Sequence, residues 1–308
     1  MASVLVTGGA GFLGTWVVRE LFEQGHVPVA YDQHHGGDRW VRILGDRAEQ
    51  LQSVAGDLCD VEQLCAVVAE HGVERVIHLA AMLTPACQSD PFTGCRVNVL
   101  GTTAVFELAR RFPGQIGRIA WTSSLAVFGP EGATRGACEV IDEFSSPSFY
   151  GAFKRSSELI ARQYAEHCGV DSLGIRPHVV YGPERTDGLT AAPSLAARAV
   201  AEGRNASIDY SGVCGYDYVA DVATAMVRAA FAGPEGAHVV DLDSEQASTE
   251  DLAGILREIV PTAEVTCGGP AIPSNQPAVA TPISSVYPDW VSTSLRDGLA
   301  ETVEFYRR

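Results

Sequence analysis

Apolar and polar positions along this chain follow two periods in turn. Val4-Leu5-Val6 is a short continuous apolar run, the pattern of a parallel strand buried on both faces. It leads into Thr7-Gly8-Gly9-Ala10-Gly11-Phe12-Leu13-Gly14, after which Leu13, Val17 and Leu21 recur every four residues until Gly25 stops the helix. A second strand, Val27 to Tyr31, ends in Asp32, which completes a strand-turn-helix-strand unit.

The alternation goes on. Strands are expected at Gln52–Asp57, Arg75–Leu79, Arg118–Thr122 and Ser172–Arg176, with helices near Val61–Glu70, Val97–Arg111 and Tyr150–His167. This order predicts an α/β fold with a doubly wound parallel sheet of Rossmann type, binding ligands outside the carboxyl ends of its strands. Past Tyr181-Gly182-Pro183 the alternation loosens. One more apolar strand, His238–Leu242, is expected to return to the main sheet; residues 263–290 are rich in Pro and Gly, and Thr293–Arg308 reads as a terminal helix. The expected division is a dinucleotide-binding domain of residues 1–178 and 216–246, and a smaller, discontinuous substrate-binding lobe of residues 179–215 and 247–308, without internal repeats.

Composition narrows the function classes. The chain has 308 residues, 46% hydrophobic and 19% charged, which excludes disorder as its main state. A net charge of −16 with no basic run makes nucleic acid and anionic membrane poor partners. No apolar run reaches the ~18 residues of a membrane-spanning helix. No basic leader precedes the first strand, so a cytoplasmic protein is expected. The eight cysteines form no C-x-x-C pair and no metal-like spacing with His; they read as reduced packing residues, and no metal is expected. Of the 22 basic residues, only Lys154 is a lysine.

The first turn satisfies G-x-G-x-x-G through Gly9, Gly11 and Gly14. Absent side chains allow the tight turn and bring a helix N-terminus close to a pyrophosphate, so Gly8, Gly11, Phe12, Leu13 and Gly14 are expected to touch a dinucleotide. Asp32 follows 18 residues after Gly14, at the end of the second strand. A carboxylate there accepts hydrogen bonds from ribose hydroxyls and repels a 2′-phosphate, which favours NAD over NADP. Gln33, His34 and His35 offer no fixed positive charge, and Arg39 is the nearest cation.

Tyr150 and Lys154 form Y-x-x-x-K, an i, i+4 spacing that places both on one helix face. A free tyrosine must fall from about 10 to about 7 to act as a base at neutral pH, a change worth about 4 kcal/mol. A fixed ammonium beside it lowers the phenol electrostatically. A guanidinium is too large and forked to replace that compact charge, and this otherwise arginine-using chain keeps lysine here alone. Trp121-Thr122-Ser123-Ser124 lies at the carboxyl end of a strand, where a hydroxyl is able to hold the substrate oxygen beside Tyr150.

Together these residues resemble the extended short-chain dehydrogenase/reductase family, also called the NAD-dependent epimerase/dehydratase family. The likeness spans essentially the whole chain: TGGAGFLG at 7–14, Asp57-Leu58, His78-Leu79-Ala80-Ala81, Asn98, TSSLAVFG at 122–129, Tyr150 with Lys154, Arg176 leading to Val180-Tyr181-Gly182-Pro183, and Asp217-Tyr218-Val219 with Asp221. The resemblance implies that Asp57 binds the adenine amino group, that Leu58 lies beside the ring, and that Ala80 lines the cofactor. It implies further cofactor contacts at Leu79, Ala81, Asn98, Thr122, Arg176, Pro177 and Val179. Ser124, Tyr150 and Lys154 would be the catalytic set, and His78 reads as structural.

Departures from the family pattern bear on substrate. Leu125-Ala126 stand where family dehydratases carry Asp-Glu, which argues against dehydration. Val179 and Tyr216 replace the Asn and Arg with which nucleotide-sugar enzymes commonly grip the nucleotide. Near the expected substrate mouth stand Thr84, Ser123, Ser124, His178, Arg185 and Thr190. Arg185 either aims at a small anion such as a carboxylate or pairs with Glu184 or Asp187.

The expected activity is NAD-dependent hydride transfer at a secondary alcohol or ketone of a small polar sugar or sugar acid. The alternative is a sugar or nucleotide-sugar epimerase with retained NAD; a third, of another class, is a catalytically silent NAD-binding sensor. A homodimer is expected, with Val99, Phe106, Phe153, Ile160 and Tyr164 available for its seam.

Overall fold

The computed structural model describes residues 1–129, 146–188, 190–272 and 280–308. Its first half is β1 (Ser3–Thr7), α1 (Phe12–Glu23), β2 (Val27–Asp32), α2 (Gly37–Leu44), β3 (Gln52–Ala55), α3 (Val61–His71), β4 (Arg75–His78), α4 (Thr84–Ser89), α5 (Pro91–Cys95), α6 (Gly101–Arg111) and β5 (Ile119–Thr122). A π turn, Arg96–Leu100, joins α5 to α6. The second half is α7 (Phe149–Cys168), β6 (Ser172–Arg176), β7 (Val179–Tyr181), α8 (Ala192–Ala201), β8 (Ala206–Ile208), β9 (Val213–Tyr218), α9 (Val219–Phe231), β10 (Ala237–Asp241), β11 (Glu245–Ser248), α10 (Thr249–Ile259), β12 (Val265–Cys267) and α11 (Leu295–Arg307).

The main sheet has seven strands in the order β10-β6-β5-β4-β1-β2-β3, all parallel, and is the doubly wound Rossmann sheet expected. Alternation along β1 sends Val4 and Val6 to one face, packed with Val17, Leu21, Val222 and Met226 of α1 and α9. Leu5 goes to the other face, with Leu64, Val68, Val105 and Leu108 of α3 and α6. Strand order reverses at β1, whose neighbours are β2 and β4, and the crevice of the site opens there.

His238–Leu242 does return to the main sheet, as β10 beside β6. Two small sheets, β11-β9-β7 and β12-β8, lie outside the main sheet. The expected divisions at 216 and 246 fall inside β9 and β11, strands that pair with each other in antiparallel register. Core side chains run without a break from the main sheet into the lobe, through Tyr181, Tyr218 and Leu299. Short strands with few alternating positions, and the helix α2 behind Gly36-Gly37, were not anticipated from the hydrophobic pattern. Helix α7 begins at Phe149 because the Oγ of Ser148 accepts a hydrogen bond from the Gly151 N–H. Cys138, expected to be a packing residue, lies outside the described residues. Among those described, no helix is long and apolar enough to cross a membrane, and no cluster of three metal-ligating side chains occurs.

Candidate active site

The glycine turn is packed against the end of β4. Gly8 has φ +74°, and a Cβ there would lie 2.8 Å from the backbone N of Ala80; a Cβ on Gly14 would lie 2.0 Å from the carbonyl O of Gly8. Asp32 fastens the turn from the β2 side, its carboxylate accepting from the N–H of Ala10 at 3.1 Å and of His34 at 3.3 Å. No side chain caps α1, and its first turn carries no acid, so a positive helix end faces the crevice.

Two cavities meet along Gly8, Gly11, Leu79 and Ala81. The smaller, about 340 Å³, is bordered by Asp32, Gly56, Leu58, Ala80 and Arg96. The larger, about 490 Å³, is bordered by Phe12, Leu13, Gly14, Thr122, Ser124, Tyr150, Lys154 and Pro177. The volumes and polarity suit the two halves of a dinucleotide, with the adenosine half beside Asp32 and the nicotinamide half beside Lys154.

Four expected cofactor residues border neither cavity. Asp57 receives the Cys59 N–H at 2.9 Å and pairs with Arg96, which itself faces the adenosine cavity. Asn98 is turned to Met82, accepting from its N–H at 2.8 Å and donating to its carbonyl at 2.9 Å, and so shapes the chain after β4. Arg176 is consumed by Glu158 at 2.6 and 2.9 Å and by Asp241 at 3.2 Å. Val179 is buried in β7 opposite Tyr216. In this structure the polar groups of Asp57, Asn98 and Arg176 are engaged by other protein groups, and the Val179 side chain is buried.

Helix α7 presents Tyr150, Lys154 and Glu158 on one face. Lys154 Nζ donates to the Thr122 carbonyl at 2.6 Å and lies 5.8 Å from the centre of the Tyr150 ring. Ser124 hydrogen-bonds Tyr150, and its Oγ also accepts the Ala126 N–H at 3.1 Å. Burial pushes the Tyr150 phenol up to about 12, against the pull of the Ser124 hydrogen bond and of the Arg185 charge; burial pushes Lys154 down to about 8. Ser123 borders the larger cavity, but its hydroxyl donates to Glu158 at 2.6 Å. His78 is closed in by Thr7 and Thr102, at 2.7 and 3.1 Å, and burial pushes it down to about 3, so it is a neutral structural imidazole.

Thr84, His178, Arg185 and Thr190 come together at the outer part of the larger cavity, beside Leu83 and Pro85. Arg185 donates to the Val180 carbonyl and, at 2.8 Å, to Thr190 Oγ1. Among the described residues no acid pairs with it: Glu184 is held by Arg42 at 2.7 Å, and Asp187, exposed on the same cavity, receives the Thr186 hydroxyl at 2.6 Å. The ion pair considered for Arg185 is therefore absent, and burial pushes its guanidinium down to about 10. His178 is pushed down to about 4 by burial and is neutral at pH 7. Tyr216 points away, its hydroxyl 3.2 Å from that of Tyr210.

Glu158 and Arg96 were missed in the sequence. Glu158 stands four residues beyond Lys154 on the face already singled out, which was the available signal. Arg96 precedes the Asn98 motif and carried no signal of its own.

Comparison with known proteins identifies the family. The model of the family described as "NAD dependent epimerase/dehydratase family" matches residues 4–240. A UDP-glucose 4-epimerase of Mycolicibacterium smegmatis is 28% identical over 318 aligned positions, covering 98% of this chain and 98% of that protein. A D-erythronate dehydrogenase of Cupriavidus necator is 32% identical over 179 positions, 56% of this chain and 54% of that one. In fold, the crystal structure of UDP-glucose 4-epimerase from Thermotoga maritima with UDP-glucose superposes with a TM-score of 0.80 at 22% identity, covering 99% and 98% of the two chains. With a glycine turn, an acid closing β2 and a Ser-Tyr-Lys set gathered along one crevice, this chain belongs to the NAD-dependent epimerase/dehydratase family.

Proposed function

We propose that the protein oxidises a secondary alcohol of a small sugar acid, with the substrate carboxylate taken by Arg185. The observation that carries this reading is a half-buried guanidinium with no acid partner among the described residues, facing the cavity that also holds Ser124 and Tyr150. A guanidinium partly withdrawn from water pairs strongly with a carboxylate. Tyr216 and Val179, buried in the β7–β9 pair, offer no donor to a nucleotide pyrophosphate. After Ser124, Leu125 is buried and Ala126 borders the cavity, so neither position supplies an acid to eliminate water.

NAD, when bound, supplies the two-electron acceptor and a further positive charge beside the phenol. Ser124 holds the substrate hydroxyl oxygen. Tyr150, as phenolate, takes the hydroxyl proton while the carbon is oxidised to a ketone; in reduction it returns that proton. Arg185 favours the phenolate by its charge, and Lys154, fixed by the Thr122 carbonyl with its Nζ 5.8 Å from the ring centre, is placed to do the same. The buried cluster of Glu158 with Ser123, Arg155 and Arg176 braces α7 against the strand ends that carry Ser124.

Incubating the protein and NAD with aldonic and uronic acids, neutral sugars and UDP-sugars, while following absorbance at the NADH band and product stereochemistry, tests the assignment. NADH formation with an acid supports it; turnover of UDP-sugars alone refutes it. A second reading, epimerisation with retained NAD, is favoured by the end-to-end similarity to the M. smegmatis UDP-glucose 4-epimerase. It predicts inversion of a stereocentre with little net NADH.

The dimer belongs to this proposal too. Phe92, Leu100, Phe149 and Leu159 are exposed around the helices α5 to α7, with Phe149 stacked on Phe153 at 6.1 Å. Of the residues first considered, Phe106 is fully buried against Trp121 and is not available for a seam. Light scattering showing twice the 32.7 kDa chain mass checks the pairing. The setting proposed is the cytoplasm, in keeping with seven free thiols among the described residues.

A further inference from the structure

Helix α2 and the segment 183–187 meet across the mouth of the larger cavity. Arg39, on α2, donates through Nη1 to the Ala10 carbonyl at 3.0 Å and reaches Thr186 Oγ1 with Nη2 at 3.4 Å. Its Nε is sealed from solvent and has no hydrogen-bond partner among the described residues. The side chain borders the larger cavity together with Gly11, Phe12 and Leu13, and does not border the smaller one that contains Asp32.

We propose that Arg39 is the cation that pairs with the cofactor pyrophosphate and that, through Thr186, it closes the second lobe over the bound dinucleotide. The inference rests on NAD as cofactor, and not on the choice of substrate. A helix end contributes only about half a positive charge, against roughly two negative charges on a pyrophosphate. In a chain of net charge −16 a further cation is needed. Lys154 is held at Thr122, Arg185 donates to Val180 and Thr190 at the other side of the cavity, and Arg96 is paired with Asp57, which leaves Arg39 beside the first turn of α1. A ribose 2′-phosphate would sit by Asp32 instead, on the cavity Arg39 does not border.

The contact is anchored from behind on both sides. Trp40 Nε1 donates to the Gly9 carbonyl at 3.1 Å, fixing α2 to the glycine turn. Trp16 Nε1 donates to the Pro183 carbonyl at 3.1 Å, and Arg42 pairs with the buried Glu184 at 2.7 Å. Glu184 is the one described residue other than glycine with positive φ, at 69°, a conformation these anchors hold in place. Thr186 is therefore presented to Arg39 by a segment tied to the Rossmann domain at Pro183 and Glu184.

The test uses the full chain and NADH, read by energy transfer from tryptophan to the bound nicotinamide, with NADPH and adenosine as further probes. Arg39→Ala is expected to raise the NADH dissociation constant and release rate about tenfold or more, as loss of a hydrogen bond to a charged group does. Raising salt is expected to narrow the difference from the unmodified protein. Arg39→Lys is expected to fall between them, and adenosine binding to stay unchanged, which also reports that the site is folded. Thr186→Val, which cuts the tether and keeps the cation, is expected to speed NADH release by a smaller factor. Unchanged NADH release in Arg39→Ala overturns the proposal, as does an effect confined to NADPH, which makes Arg39 a 2′-phosphate ligand. Unchanged release in Thr186→Val overturns the closure.

Discussion

Replacing Arg185 by Gln separates charge from space at the substrate mouth. The amide keeps a donor for Val180 or Thr190 and removes the positive charge. A hydrogen bond to a charged group contributes about 1.5–3 kcal/mol, so kcat/KM for a sugar acid is expected to fall about 10- to 150-fold. Most of that loss is expected in KM, because the carboxylate contact is made equally before and during the reaction. A neutral polyol of the same length makes no such pair and is expected to change less than about threefold. The same charge also pulls the Tyr150 phenol down from its burial-raised position near 12. Without it the phenol titrates higher, and the acid limb of the kcat profile is expected to move to higher pH for acids and neutral substrates alike. NADH formation measured from pH 6 to 10, on a matched aldonic acid and polyol, gives both readouts. Equal losses on both substrates together with an unmoved acid limb would refute the role given to Arg185.

Other substitutions probe the cofactor side and the fold. Lys154→Arg is expected to lower kcat by about a hundredfold or more, because a guanidinium cannot occupy the buried ammonium site at Thr122 without displacing its neighbours; near-normal NADH formation would contradict it. Asp32→Ala is expected to weaken NAD and erase its advantage over NADP, since it removes both the ribose acceptor and a clamp on Ala10; calorimetry with the two cofactors checks this. Asp217 is buried under the His178 N–H and the Ser244 hydroxyl, and burial pushes its carboxyl up from 3.8 to about 7. A carboxyl raised on folding favours the folded state at low pH, and that contribution is lost as pH rises through the folded value. Relative to Asp217→Asn, the melting temperature of the unmodified protein is therefore expected to decline between about pH 4 and about pH 7.

The sheet, the glycine turn, Asp32 and the Ser124-Tyr150-Lys154 set were all legible in the sequence, because each depends on short-range rules. A buried strand declares itself by its apolar run, a helix face by its i, i+4 spacing, and a close backbone approach by glycine. The fate of other polar side chains depended on partners far along the chain. Arg176 is separated by 65 residues from Asp241, which helps to withdraw it from the cofactor, and Arg39 by 147 from Thr186, which aims it there. Ser123 and Ser124 are neighbours at one strand end, ranked by the family resemblance and not by any local pattern. Only the placement of α7 gives one hydroxyl to Glu158 and leaves the other to Tyr150. Local pattern determines which residues form an element and which face they share; which charge meets which is decided when distant elements pack, since a buried polar group must find its partner wherever the fold brings one.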